Sequence, residues 1–306
     1  MFLPARDAFS PEVRQNFRQN RRPEERVQVL GGAMDLVRPE EVFHFVARKI
    51  AARESAVVAN HNLHSLYLIR KDEKIGEFFR KADLIEVDSV PLIFWARIVG
   101  RASRRFHRCT YLDWRDAFWE RAIQENWKVF FVGGAPGVGE KATARIQADW
   151  PGAQIQTHHG YFDVSAGSAE NQAVVEAINA YKPDVVLVGM GMPRQEVWVL
   201  ENQAKLGPCV TFTVGGAFDY EAGVQRPSPR WMGQVGMEWL FRLMVDPQRL
   251  FTRYCVEPWH LMGPAMHDLR RAIARQAKAR KNPPPVGAEY ARTTDLARSD
   301  GLGGRR

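Results

Sequence analysis

The chain has 306 residues, 45% hydrophobic and 25% charged, with a formal net charge of +8, which is enough to bury one large core or two modest ones. No apolar run approaches the ~18–20 residues that span a bilayer, and the first 25 residues carry arginines without the apolar stretch a secretory signal needs. Cys109, Cys209 and Cys255 are scattered without C-x-x-C spacing, so reduced thiols are expected, not a disulfide framework or a zinc site.

Residues 1–25 are polar, hold Arg6, Arg14, Arg18, Arg21 and Arg22 and show no periodicity, so they read as a flexible arm. From Val27 the chain alternates. Strand-like runs fall at 27–30, 55–59, 83–87, 128–132, 153–157, 184–189 and 209–214. Helical patterns fill 39–52, 62–70, 73–81, 90–99, 113–126, 137–149, 169–181 and 194–204. Strands separated by helices of 10–15 residues predict βαβ units, and hence a doubly wound, mostly parallel Rossmann-like α/β sheet over 26–224. Beyond Gly223 the composition shifts to helices rich in Arg and Trp, a helical appendage over 225–281. Pro283-Pro284-Pro285 then opens a disordered basic tail, 282–306. The excess charge lies at this end, with ten Lys/Arg between Arg270 and Arg306 against Glu289, Asp295 and Asp300. The tail is either a solvated extension or a contact for an anionic membrane surface. Because the basicity is not on aromatic-bearing strands, no nucleic-acid partner is expected. A homo-oligomer is left open.

In such a sheet ligands bind beyond the carboxyl ends of the strands, which directs attention to "ANHN" (59–62), "EVDSVP" (86–91), "VGGAPGVGEK" (132–141), "GMGMPRQE" (189–196) and "VGGAFDYEAG" (214–223). The amides of Gly133 and Gly134 could hold an anion, although a tight turn explains them equally well. The loop is neither a Walker A sequence nor G-x-G-x-x-G. Asp88 is either an N-cap or a carboxylate displayed at the mouth of the sheet as a general base, with Asn60 and Asn62 facing the same crevice. Pro193 fits the first helical position, placing Arg194, Gln195 and Glu196 in the first turn. Gly215-Gly216 precedes Asp219 at a helix start. There is no D-x-D triplet, and His61/His64 and His158/His159 lack companions at ligand spacing, so neither a metal nor a cofactor is expected. No G-x-S-x-G elbow occurs, and Cys109 beside Arg108 has no recognisable His partner. In the appendage Arg226, Arg230, Arg242, Arg249 and Arg253 outnumber Glu238 and Asp246, a cluster suited to bidentate phosphate binding. Trp231, Val235, Trp239 and Leu243 keep the i, i+4 spacing of a packed helix face.

Taken together, "ADLIEVDSVPLIFWARIVG", "RCTYLDW", "FFVGGAPGV", "VVLVGMGMPRQEVW", "VGGAFDYEAG" and "RPSPRWMGQVGMEWLFRLMVDPQR" resemble, in order and spacing, the WecG/TagA/CpsF family of bacterial glycosyltransferases (glycosyltransferase family 26) over about 27–255. Ser89 stands where that family usually has Gly. The resemblance implies inverting transfer from a UDP-sugar donor to a polyprenyl-diphosphate-linked saccharide acceptor at the cytoplasmic face of the bacterial inner membrane. By motif position it implies Asp88 as general base with Asn62 beside it, Asn60 where relatives often carry Thr, and Gln195 in sugar binding. Arg242 and Arg249 would close over the donor diphosphate, and Thr252 replaces an Arg of some relatives with Arg253 alongside. Arg108, Gly133, Gly134, Gly215, Gly216 and Asp219 complete the expected substrate-binding set. A non-catalytic sugar-nucleotide-binding module is the alternative, against which Asp88, Gln195 and the arginines count.

Overall fold

Five consecutive residues with buried side chains, Val185–Gly189, need cover on both faces, and the fold supplies it. The computed structural model describes residues 26–225, 228, 229, 232 and 237–281. Strands β1 (Arg26–Val29) and β2 (Gly32–Asp35) form an antiparallel hairpin. Strands β3 (Ala56–His61), β4 (Leu84–Val87), β5 (Lys128–Gly133), β6 (Gln154–His158), β7 (Val185–Gly189) and β8 (Val210–Thr213) form one sheet in the order β4-β3-β8-β7-β5-β6. Every neighbouring pair in that sheet is parallel, so all six carboxyl ends share one edge. Alternate side chains serve opposite faces. Val58, Val129, Phe131, Leu187 and Phe212 pack with helices Pro39–Ala52, Tyr111–Gln124 and Val138–Asp149. Ala59, Phe130, Val132, Val186 and Val188 pack with helices Glu73–Lys81, Ala169–Tyr181 and Arg194–Asn202.

All seven expected strands form within two residues of their expected bounds, and helices 39–52, 73–81 and 169–181 have the bounds expected. Their starts are marked locally: Pro39 with the Glu41 carboxylate taking the Arg38 N–H, and Asp72 and Ser168 each capping an amide. Strand β2 was not expected. Its sequence, Gly-Ala-Met-Asp, has no β-branched residue, and it exists because Leu30 (φ 53°) and Gly31 (φ 84°) both adopt the left-handed conformation of a tight hairpin turn. Pro193 sits one position earlier than expected, as the residue preceding helix Arg194–Asn202. The arm at 1–25, the tail at 282–306, and Arg226, Arg230, Trp231 and Val235 lie outside the described residues.

Asp35 joins the hairpin to the sheet. Its fully buried carboxylate accepts from Arg26 at 2.8 and 2.7 Å and from the Ile85 N–H at 2.8 Å. The last helix, Met262–Lys281, docks on the same side: Asp268 accepts from the Leu30 N–H at 2.7 Å and from the Trp95 indole at 3.3 Å, and Arg275 donates to the Val99 carbonyl at 2.8 Å. Replacing Asp35 by Ala orphans the Ile85 amide and leaves the Arg26 guanidinium with only the Asp83 carbonyl, so a loss of about 2–4 kcal/mol is expected in urea unfolding. A loss below about 1 kcal/mol would mean that apolar contacts alone hold the hairpin.

Candidate active site

β3 and β4 end side by side, and their ladder runs on: the Asp88 N–H donates to the His61 carbonyl at 2.9 Å. On the other flank Val87 pairs in parallel with Arg108, and the Cys109 N–H donates to the Val87 carbonyl at 2.8 Å. Asp88 is thus fixed at the sheet edge with Asn62 to one side and Arg108 to the other. Ser89, not Asp88, is the N-cap of helix Val90–Ile98, and it makes no side-chain capping bond. Burial pushes the Asp88 carboxyl up to about 6; Arg242 and Arg108 pull it down, and Glu238 and Asp113 push it further up. Asn62 takes the capping role, its Oδ1 accepting from the Ser65 N–H at 3.0 Å at the start of helix Leu63–Leu68, while its Nδ2 lies 3.9 Å from the Met192 Sδ. Asn60 turns inward: its Nδ2 donates to the Cys109 carbonyl at 3.2 Å, and its side chain hydrogen-bonds Glu86. Burial, helped by the Asp88 charge, holds the Glu86 carboxyl well above the ordinary carboxylate range.

The appendage closes this group. Glu238, in helix Glu238–Val245, accepts from Arg108 Nη2 through Oε2 at 2.9 Å and from Arg242 Nη2 through Oε1 at 2.6 Å. Arg242 lies over the Tyr220 ring, 5.9 Å from its centroid. Burial works against the Arg242 charge, but Tyr220, Glu238 and Asp88 outweigh it and raise its pKa. Arg253 is lowered by burial, an effect only partly offset by Tyr254, Asp88 and Glu257.

A second group forms where the loops after β5 and β8 meet. A Cβ on Gly133 would lie 2.3 Å from the Gly189 carbonyl oxygen, so β5 and β7 close here only because that position is bare. Gly134, at φ +65°, donates to the same carbonyl at 3.2 Å. A Cβ on Gly134 would stand 3.8 Å from Asp219 Oδ1, and one on Gly216 3.0 Å from Asp219 Oδ2, so Asp219 faces both glycine loops. Burial raises the Asp219 carboxyl and Arg249 lowers it, although Arg249 is largely exposed and pairs with Asp246 at 2.6 Å. Gln195 stands behind Gly215. It is buried, its Oε1 accepts from the Gly215 N–H at 3.1 Å, and its Nε2 donates to Glu196 at 2.7 Å. Each end of that amide makes one bond within the protein, so the side chain expected to meet a sugar also positions the Gly215 loop. Arg194 likewise donates to the carbonyls of Gly160 and Phe162. Tyr111 and Arg115 of the "YLDWR" run hold Glu221, at the end of the "VGGAFDYE" segment.

The structure therefore gathers Asp88, Asn62, Arg108 and Arg242 in one group, and Gly133, Gly134, Gly215, Gly216, Asp219 and Arg249 in another, while Asn60 and Gln195 act from behind. Sequence reasoning gave no site role to Glu86, Glu196 or Glu238. Glu196 is buried and pushed up to about 7, and its only local signal is an acid beside an otherwise apolar helix face. Among the described residues no group of three His, Cys, Asp or Glu could hold a metal ion.

A parallel sheet whose carboxyl edge gathers a half-buried carboxylate and several guanidinium groups has the place and the charges of an enzyme site in the α/β class. A sequence profile for glycosyl transferases of the WecG/TagA/CpsF family matches residues 27–275, and the chain belongs to that family of glycosyltransferases. Relatives from Staphylococcus aureus strains MRSA252 and NCTC 8325 are 28% and 27% identical over 207 residues, which cover 63% of this chain and 77% of theirs. Both bear the name N-acetylglucosaminyldiphosphoundecaprenol N-acetyl-beta-D-mannosaminyltransferase.

Because folding raises the Asp88 pKa, its ionisation opposes the fold: stability held by the protonated form is lost as pH rises from the ordinary Asp range through about 6. Asp88→Asn is therefore expected to be more stable than wild type at pH 8 by on the order of 1–3 kcal/mol, with the gain vanishing below about pH 4. Thermal unfolding at both pH values measures this, and equal stability at pH 8 would mean the carboxylate is well solvated.

Proposed function

We propose that this glycosyltransferase moves a sugar, with inversion, from a UDP-sugar to a polyprenyl-diphosphate-linked saccharide, working peripherally at the cytoplasmic face of the inner membrane. The observation that carries the reading is Asp88: a half-buried carboxyl at the sheet edge, ionised at neutral pH yet basic enough to accept a proton, and flanked by Arg108 and Arg242. The names of the two relatives favour an N-acetylhexosaminyl group and a diphosphoundecaprenol-linked acceptor.

In a single displacement the Asp88 carboxylate takes the proton of the acceptor hydroxyl as that oxygen bonds to the anomeric carbon. The bond from the same carbon to the diphosphate oxygen breaks on the opposite face, and its electron pair leaves with UDP. Arg242 and Arg253, with Arg249 reaching in from the surface, meet the charge that develops on the diphosphate. Asn62 orients the substrate beside the base. The glycine loops at Gly133-Gly134 and Gly215-Gly216 offer backbone amides to the donor, Asp219 accepts from a donor hydroxyl, and Gln195 keeps the Gly215 loop in register. Glu238 occupies Arg108 and Arg242 until the donor phosphates replace it. We assign chemistry to 26–224 and closure over the donor to 225–281. The appendage also supplies an interfacial anchor through exposed Trp239, Phe251 and Trp259. No helix among the described residues is long and apolar enough to cross a membrane.

Asp88→Asn is expected to retain UDP-sugar affinity and to lose at least ~10²-fold in turnover; near-normal turnover in the folded variant would remove Asp88 from the chemistry. The acid limb of kcat/KM is expected near pH 6, where the base titrates. Glu238→Gln removes a negative neighbour that holds the Asp88 pKa up, so the limb should move to lower pH; a shift upward would contradict the assignment. Because arginines stabilise the leaving group on this reading, turnover is expected to survive EDTA, and complete loss restored by Mg²⁺ or Mn²⁺ would refute it.

A further inference from the structure

Helix Val90–Ile98, "VPLIFWARI", buries one apolar face and carries apolar side chains, with one arginine, on the other. Leu92, Ile93 and Ala96 point inward and join Val29, Leu66 and Val87 in a third apolar cluster. Pro91, Phe94, Arg97 and Ile98 form the outer stripe at i, i+3, i+6 and i+7, and Phe94 and Ile98 are 47% and 63% exposed. Large apolar side chains beside a single arginine on an exposed helix face have the composition of an interfacial surface.

The chain around it is uniformly cationic. From Ser89 to Leu112 there are five arginines, at 97, 101, 104, 105 and 108, and no acid. Arg104 and Arg105 are exposed, as is Phe106, which has the Arg38 guanidinium 4.3 Å from its ring centroid. The C-terminal helix adds exposed Arg271 and Arg275 beside it, with Arg275 bonded to the Val99 carbonyl. Arg101 feels Arg271 and Arg275 as like charges, and Asp268, buried and bonded to Leu30 and Trp95, is the acid that faces them. Clustered guanidinium groups around protruding apolar side chains match a boundary where phosphates overlie acyl chains.

We infer that the outer face of helix Val90–Ile98, together with Arg104, Arg105 and Phe106, is a bilayer-docking surface of the catalytic domain, specific for anionic phospholipid. This rests on the proposed lipid-linked acceptor, and it gives that acceptor a route. The helix starts two residues after Asp88 and is nine residues long, about 13 Å. A membrane seated on its outer face holds a diphosphate-linked sugar within reach of the base. The catalytic domain is thereby oriented by its own surface, and the appendage is not its sole attachment.

The test uses the full chain and vesicles of phosphatidylcholine with or without 30% phosphatidylglycerol, as a co-sedimentation assay without sugar substrates. Phe94→Ser/Ile98→Ser and Arg104→Glu/Arg105→Glu alter exposed side chains, and each pair's thermal midpoint is measured so that binding is compared only between folded proteins. Each pair should weaken binding to the anionic vesicles roughly 10-fold or more, since one basic residue near such a surface contributes about fivefold. Turnover should fall with an undecaprenyl acceptor in vesicles and remain unchanged with a short-chain, water-soluble acceptor. Unchanged vesicle binding by both pairs would overturn the proposal, as would a change in oligomeric state on sedimentation without a change in vesicle binding, which would assign the face to a second copy of the chain. If the wild type transfers no sugar to either acceptor, the glycosyltransfer reading fails while the vesicle assay still decides the surface.

Discussion

The Asp88 carboxyl lies where loss of water raises its pKa to about 6, and the charged groups around it correct that loss only in part. Two arginines favour its ionised form, and Glu238, which pairs with both, partly cancels them. A fully compensated carboxylate would be a weak base, and an uncompensated one would stay protonated at neutral pH. The parallel sheet makes the intermediate state possible, because pairing on both flanks of β4 holds Asp88 at the edge regardless of its charge.

The runs that carry the family resemblance divide between groups at the site and groups that brace them. Tyr111 and Arg115 hold Glu221, Arg194 holds the carbonyls of Gly160 and Phe162, and Gln195 holds the Gly215 amide. Arg194 and Gln195 fasten backbone groups of neighbouring loops at the carboxyl edge, while Tyr111 and Arg115 tie two helices together through the Glu221 carboxylate. Loops carry many backbone groups that no strand or helix satisfies, and here side chains from adjacent motifs satisfy them. A single loop could not keep its shape alone.

Most of the α/β frame was legible because its signals are local: Pro39 with Glu41, Asp72 and Ser168 each stand at the start of a helix that formed where expected. What escaped depends on partners distant in sequence. Strand β2 is held by Asp35 reaching Ile85, 50 residues on. Of the two loop residues able to cap a helix, Asn62 does so and Asp88 does not, a choice set by how β3 and β4 end relative to one another. Glu86 and Glu196 look like ordinary acids until the sheet and the appendage bury them. Gln195 lay in the right loop, but which way its amide faces is decided by Gly215, 20 residues later.

Glu238 has one more consequence, for how the enzyme lets go. By bridging Arg108 and Arg242 it acts as a built-in competitor, and any phosphate entering between them must displace a carboxylate already in place at 2.9 and 2.6 Å. On the proposed reaction that competitor opposes the donor and the departing nucleotide alike, because both present a diphosphate. On that reading it weakens the ground-state and product complexes together. A site built from the same arginines without Glu238 would hold a diphosphate more tightly at every stage, before and after the transfer.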